Sequence, residues 1–177
     1  MANDDHAKLP VPEAIRRIAD SEDRKLAWHF FVLFSRMEYA LKRSGRYLNG
    51  TDSAAEPNWD KFGSEHNAVF DSNTSPELGE AVKYFVDQAP RKQRVSAGKL
   101  DWTDPLQYDG KGPLLTWLLL AIRCVRNNLF HGGKFPLIPI SDPSRDRELI
   151  WKSMVILKAA LPLSPDVKEL FFAELDE

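Results

Sequence analysis

The sequence predicts an all-α domain built on four main helices, and three observations carry that expectation. Apolar residues recur at three- and four-residue spacing over 25–47, 114–131 and about 144–161, the pattern of helices that turn one face to a core. The longest strand-like alternation, Phe135-Leu137-Ile138-Ile140, is interrupted by two prolines. A chain of 177 residues, 43% apolar and 28% charged, suits one sizeable core and excludes both a disordered chain and a solenoid.

Residues 1–12, polar and ending in Pro10 and Pro12, read as a loose N-terminal arm, and 13–177 as a single helical domain. Glu13 to Asp20 suits a short helix. Ser21, followed by Glu22 and Asp23, suits an N-cap and a helix dipole. The long helix then runs from Lys25 to Tyr47, with Leu26, Phe30, Leu33, Phe34, Met37 and Leu41 on its inner face. Phe31, Val32, Tyr39 and Ala40 widen that stripe, which predicts contact on two sides and, with it, a dimer. Gly45 and Asn49-Gly50 stop the helix, and 49–58 is turn-rich.

Trp59 to Phe70 carries Trp59, Phe62, His66, Val69 and Phe70 at helical spacing, and Ser75-Pro76 opens a further helix through Gln88. Between 89 and 113, prolines, glycines and the basic run Arg91-Lys92-Gln93-Arg94 predict a long irregular excursion. Gly112-Pro113 launches the most apolar helix, 114–131, which Gly132-Gly133 ends. A proline-studded crossing at 135–143 leads to the helix of about 144–161, and Ser164-Pro165-Asp166 caps a last short one.

Charge and cysteine usage narrow the function classes. The 24 basic and 26 acidic residues sum to -2, so no whole-chain positive field invites DNA coating or anionic lipid. Any nucleic-acid site must be local. One region qualifies: 110–141 holds no acid and contains Lys111, Arg123, Arg126 and Lys134, while the N-terminal arm and the tail beyond Asp166 are acidic. The single Cys124 can form no internal disulfide, which points to a reducing cytoplasm. An acidic, polar start is unlike a signal peptide. The apolar run 114–122 is about half of the ~20 residues a bilayer span needs, so no membrane is expected as a partner.

His6, His29, His66 and His131 are scattered, no two at the spacing of helical metal ligands, and phosphate-loop, dinucleotide and hydrolase-elbow motifs are missing. No metal or other cofactor is expected.

The informative segment is Arg123-Cys124-Val125-Arg126-Asn127-Asn128-Leu129-Phe130-His131-Gly132-Gly133-Lys134, at the polar exit of the most apolar helix. Charges and amides beside a core must be hydrogen-bonded or near water, so their concentration predicts a pocket at the helix end. Arg123, Asn127 and His131 follow each other four residues apart on one face. Arg126 lies about 140° round the helix from His131, so its long side chain, or a bend at the exit, must bring it in. An imidazole that titrates near neutrality and a guanidinium that grips phosphate with two parallel hydrogen bonds equip a phosphodiester site.

The run Arg126-Asn127-x-x-x-His131-Gly132, closing an apolar helix of an all-α domain, resembles the R-x(4–6)-H motif of the HEPN superfamily. Phe30-Phe31-Val32-Leu33-Phe34-Ser35-Arg36-Met37-Glu38-Tyr39-Ala40-Leu41-Lys42 is similar to the first core helix of prokaryotic HEPN proteins of the Apea-like kind. The resemblance covers about 22–161, above all 22–47 and 114–134, and leaves 50–112 unplaced. Arg24…His29 has the same spacing, but no Asn follows that Arg and no helix exit follows that His.

The resemblance implies a HEPN-like helical bundle and a metal-independent endoribonuclease that acts as a homodimer, in a toxin–antitoxin or phage-defence setting with an antitoxin protein as a possible partner. His131 is then the general base for the ribose 2′-OH, Arg126 braces the scissile phosphate, and Asn127 orients the histidine or contacts the phosphate. Arg123, Asn128 and Lys134 are the candidate substrate contacts. Glu38 is a weaker candidate for the pocket. Two other readings remain open: a helix C-terminus whose dipole simply favours cations, and a non-catalytic module that binds RNA, a nucleotide or a partner protein.

Overall fold

The structure, a computed structural model, describes residues 22–50, 54–130 and 143–173. The arm at 1–12, the short helix expected at 13–20, the Gly132-Gly133 exit and the 135–142 crossing lie outside those residues, as do His131 and Lys134.

The chain is mostly helical. In order it forms α1 (Glu22–Arg43), β1 (Leu48–Asn49), β2 (Glu56–Pro57), α2 (Trp59–His66), α3 (Pro76–Asp87), β3 (Gln93–Ser96), β4 (Lys99–Trp102), α4 (Leu114–Phe130), α5 (Pro143–Ala160), a single 3-10 turn (Leu161–Leu163) and α6 (Pro165–Phe172). The four long helices, α1, α3, α4 and α5, meet the sequence expectation in place and length to within a few residues.

Helix α4 carries much of the core. Its Leu115, Leu118, Leu119, Ala121, Ile122, Cys124 and Val125 are buried, and each large aliphatic side chain so placed stabilises the fold by about 1.5–3 kcal/mol. Helices α2, α3 and α5 contact α4, while α5 and α6 line α1. Phe30, Phe34, Met37, Ala40 and Leu41 turn from α1 into the same core.

The α2–α4 contact is close enough to involve backbone. A Cβ at Gly63 would stand 2.7 Å from Thr116 Cα, nearer than packed atoms approach, so glycine sets the distance between these helices. Two arginines fasten helix C-termini across the fold. Arg36 of α1 donates from Nε to the Phe171 carbonyl at 2.7 Å and also reaches the Ala173 carbonyl. Arg145 of α5 donates to the carbonyls of Gln88 and Ala89 at 3.1 and 2.9 Å, just past α3. Both satisfy acceptors that a helix end leaves without an internal partner.

Two expectations need correction. The 89–113 excursion is not irregular throughout: over 93–102 β3 and β4 pair antiparallel from Gln93↔Trp102 to Ser96↔Lys99, while 103–113 holds no helix or strand. Their turn places Ala97 and Gly98 at φ 49 and 75, the paired positive angles of a tight hairpin. Ala97 hid it, because alanine seldom adopts that angle and the usual signal is Asn-Gly or Asp-Gly. Second, α2 ends at His66 rather than Phe70. Asn67 ends it, and the amides of Val69 and Phe70 turn back to the His66 carbonyl. The Asn67 side chain accepts instead from the amide of Leu115 at 2.9 Å, capping the start of α4.

Candidate functional site

The last turns of α4 send polar side chains to three different neighbours. Arg126 points to α1, where its Nη2 lies 3.8 Å from Glu38 Oε2 and its guanidinium sits 5.5 Å from the centre of the Phe34 ring. Phe34 is buried and stacks on Trp59 with centroids 5.2 Å apart, so the arginine rests on an anchored aromatic surface. Both charged side chains are half-buried, at 29% and 25% exposure. At 3.8 Å the contact with Glu38 is an ion pair rather than a tight hydrogen bond. Its Nη1 donates to Asn127 Oδ1 at 3.0 Å, across one residue.

Arg123, one turn earlier, faces α2 and donates to Asp60 Oδ1 at 3.2 Å in an exposed pair. Asn128 and Cys124 point the other way. The Asn128 amide and the Cys124 thiol both donate to the Arg91 carbonyl, at 2.8 and 3.2 Å. That carbonyl belongs to a segment with no idle acceptor: Gln88 and Ala89 take Arg145, Pro90 takes the Leu106 amide, Arg91 takes Asn128 and Cys124, and Lys92 takes the Thr103 amide. The strap at 88–92 thereby fixes the base of the β3–β4 hairpin against α4.

Of the residues singled out from sequence, the structure brings Arg126 and Asn127 together and adds Glu38 to them. Arg123 is near but joined to Asp60. Asn128 is directed away from the other candidates and holds the strap. Where His131 and Lys134 stand relative to Arg126 falls outside the described residues. Phe34 and Asp60 went unread as part of this site. An apolar ring at a core position gives no sign that a guanidinium will lie on it, and Asp60, 63 residues before Arg123, carries no spacing signal.

A second polar cluster lies at the junction of α1 and α2. Buried Tyr47 holds its hydroxyl 3.0 Å from both Glu65 Oε2 and His66 Nε2, and Arg46 pairs with the same Glu65 oxygen at 2.9 Å. With the tyrosine donating to the carboxylate, its oxygen is left to accept from the histidine, which fixes a proton on Nε2. Burial, reinforced by the Glu65 charge, raises the Tyr47 pKa; desolvation lowers that of His66. Burial alone would raise Glu65, but the Tyr47 hydrogen bond and Arg46 outweigh it and hold the carboxyl below its usual range.

Among the described residues no group of three His, Cys, Asp or Glu is arranged to hold a metal ion, and no helix is long and apolar enough to cross a membrane. No family model matches the chain, and searches of curated proteins and of solved structures give no similar protein.

Proposed function

We propose that the chain is an endoribonuclease of the HEPN kind, with Arg126 as the phosphate-bracing residue and His131 as the base. The observation that supports it is the seat of Arg126: a guanidinium half-buried on Phe34 beside Glu38, in the last turn of the helix that leads to His131. A cation partly shielded from water acts more strongly on a developing phosphorane charge than one in bulk solvent.

In the reaction, His131 takes the proton of the ribose 2′-OH, whose oxygen forms a bond to phosphorus. The bond from phosphorus to the 5′-oxygen breaks, and that oxygen leaves with a proton from solvent or a second acid. Products are a 2′,3′-cyclic phosphate and a 5′-OH. Because the nucleophile belongs to the substrate, this route needs neither an activated water nor a metal. DNA, which lacks the 2′-OH, should survive. The reading carries with it a homodimer and a toxin–antitoxin or phage-defence setting with an antitoxin partner; light scattering at tens of micromolar measures the first.

The test is incubation of the pure chain with single-stranded RNA in EDTA. Cleavage by wild type and its loss in both Arg126→Ala and His131→Ala are expected. No cleavage, or undiminished cleavage by the variants, rejects the proposal.

One observation favours a second reading. Arg126, Asn127, Arg123 and Asn128 all have protein partners, as in a module that binds RNA or a partner without turnover. RNA binding that weakens in Arg126→Ala while no product forms identifies that case.

A further inference from the structure

We propose that the outward face of α1 is a track for single-stranded RNA, with Trp28 as a base-stacking platform that leads toward Arg126. This rests on the ribonuclease reading for its purpose, but not for its evidence.

The face opposite the buried side of α1 carries Arg24, Lys25, Trp28, Phe31, Val32, Ser35, Tyr39 and Lys42, all within about 60° of the Trp28 direction at 100° per residue. It contains cations and aromatics and no acid; Glu38, at its edge, is turned to Arg126. From 24 to 42 the stripe runs about 27 Å at 1.5 Å per residue. Its aromatic part is already ordered as a stack. Trp28 lies on Phe31 with centroids 5.5 Å apart and planes 21° from parallel, and Phe31 meets Phe130 of α4 edge-on at 5.2 Å. Trp28 is 60% exposed, Phe31 37% and Phe130 40%, so most of the Trp28 surface remains open to solvent beside its contact with Phe31.

Position links this platform to the site. Phe130 is one turn beyond Arg126 on α4, and Phe34, which bears the guanidinium, is one turn beyond Phe31 on α1. Arg24 and Lys25 stand one turn before Trp28 on the same face. Cations at both ends of the stripe, Arg24 and Lys25 before the rings and Lys42 after them, offer contacts for phosphates on either side of rings that can stack with the bases of an unpaired strand. A second copy of the chain matches less well. Whether two such stripes ran parallel or antiparallel, Arg24 and Lys25 would meet only Arg24 and Lys25, or Lys42, with no acid on the stripe to neutralise them.

The probe is a fluorescein-labelled 12-nucleotide 2′-O-methyl oligoadenylate, which the proposed chemistry cannot cut, titrated with the full chain by fluorescence anisotropy. Trp28→Ala should weaken binding about tenfold or more and Trp28→Phe much less, since stacking is worth ~1–3 kcal/mol per base. An oligomer of the same length with abasic sites should bind wild type and Trp28→Ala alike. Arg24→Ala with Lys25→Ala should flatten the slope of log affinity against log salt by about 1.4, at ~0.7 per phosphate neutralised.

Equal binding by Trp28→Ala and wild type overturns the track, as does absence of binding by wild type. So does a wild-type dimer that Trp28→Ala dissolves, which assigns the face to a second copy. If cleavage of unmodified RNA fails while Trp28 dependence of binding holds, the ribonuclease reading falls and the track stands. Cleavage lost in Arg126→Ala with no Trp28 dependence leaves the reverse.

Discussion

Arg126 and Asn128 leave the same turn of α4 into opposite kinds of surroundings. On the α1 side, Arg126 lies on an aromatic ring beside a carboxylate 3.8 Å away, with part of its side chain exposed. On the strap side, Asn128 and Cys124 meet a backbone in which each carbonyl from 88 to 92 has a donor. The first arrangement sets a charge on an apolar ring at a half-buried position. The second spends its polar groups on structure. Polar residues crowded at a helix exit therefore need not form one site, and their neighbours decide which of them are available for chemistry.

The sharpest way to break this contrast is to remove its two poles separately. Arg126→Ala should lower RNA cleavage by about 10²–10³, the usual effect of deleting one group that stabilises a developing oxyanion, while the melting temperature stays near that of wild type. A large fall in melting temperature with it would move Arg126 to the structural side of the comparison.

Next in size is Gly63→Ala. The added carbon must push Thr116 and α4 away from α2, at about 1–3 kcal/mol, and denaturant unfolding should register that loss. Asn128→Ala should cost about 1 kcal/mol by leaving the Arg91 carbonyl to the weaker thiol donor. It should leave cleavage unchanged. Activity lost in Asn128→Ala at full stability would instead return Asn128 to the substrate contacts.

The smallest effect concerns pH. His66 has a lowered pKa in the fold because of desolvation, so the unfolded chain takes up protons first as pH falls below ~6.5. Stability from this residue is present above that pH and declines as pH drops toward the folded value. Glu65, also lowered, extends the decline below the ordinary carboxylate range near pH 4. Tyr47, raised, contributes below ~10 and is lost as pH climbs through its folded value. Melting curves of wild type and His66→Gln should differ in slope between pH 7 and 5.5; parallel curves would remove His66 from this account.

Sequence showed the long helices because burial on one face writes a period of 3.6 into apolar residues, and α1, α4 and α5 follow it. Ser75 and Ser164 also announced their helices, and each accepts from an amide three residues on, Leu78 and Val167. The hairpin was hidden by an alanine at positive φ. Within the site, the Arg126-Asn127 dipeptide was legible because both lie on one element. Glu38 could be named only as a weak candidate, while Phe34 and Asp60 could not be named at all, since their proximity is made by packing helices far apart in sequence. For Asn128 the donor capacity was visible in the sequence, while its acceptor, the Arg91 carbonyl 37 residues away, was not.

One further bond bears on how the chain reaches this state. Asn67 ends α2, yet its side-chain oxygen completes the first turn of α4 through the Leu115 amide. The most apolar segment of the protein thus has its start completed by a residue 48 positions earlier, and that cap exists only once α2 has docked. Nucleating a helix is unfavourable without such help, so for α4 growth and docking become one cooperative event. The leucine-rich stretch then has little occasion to persist as a lone exposed helix, the kind of transient species from which aggregation begins.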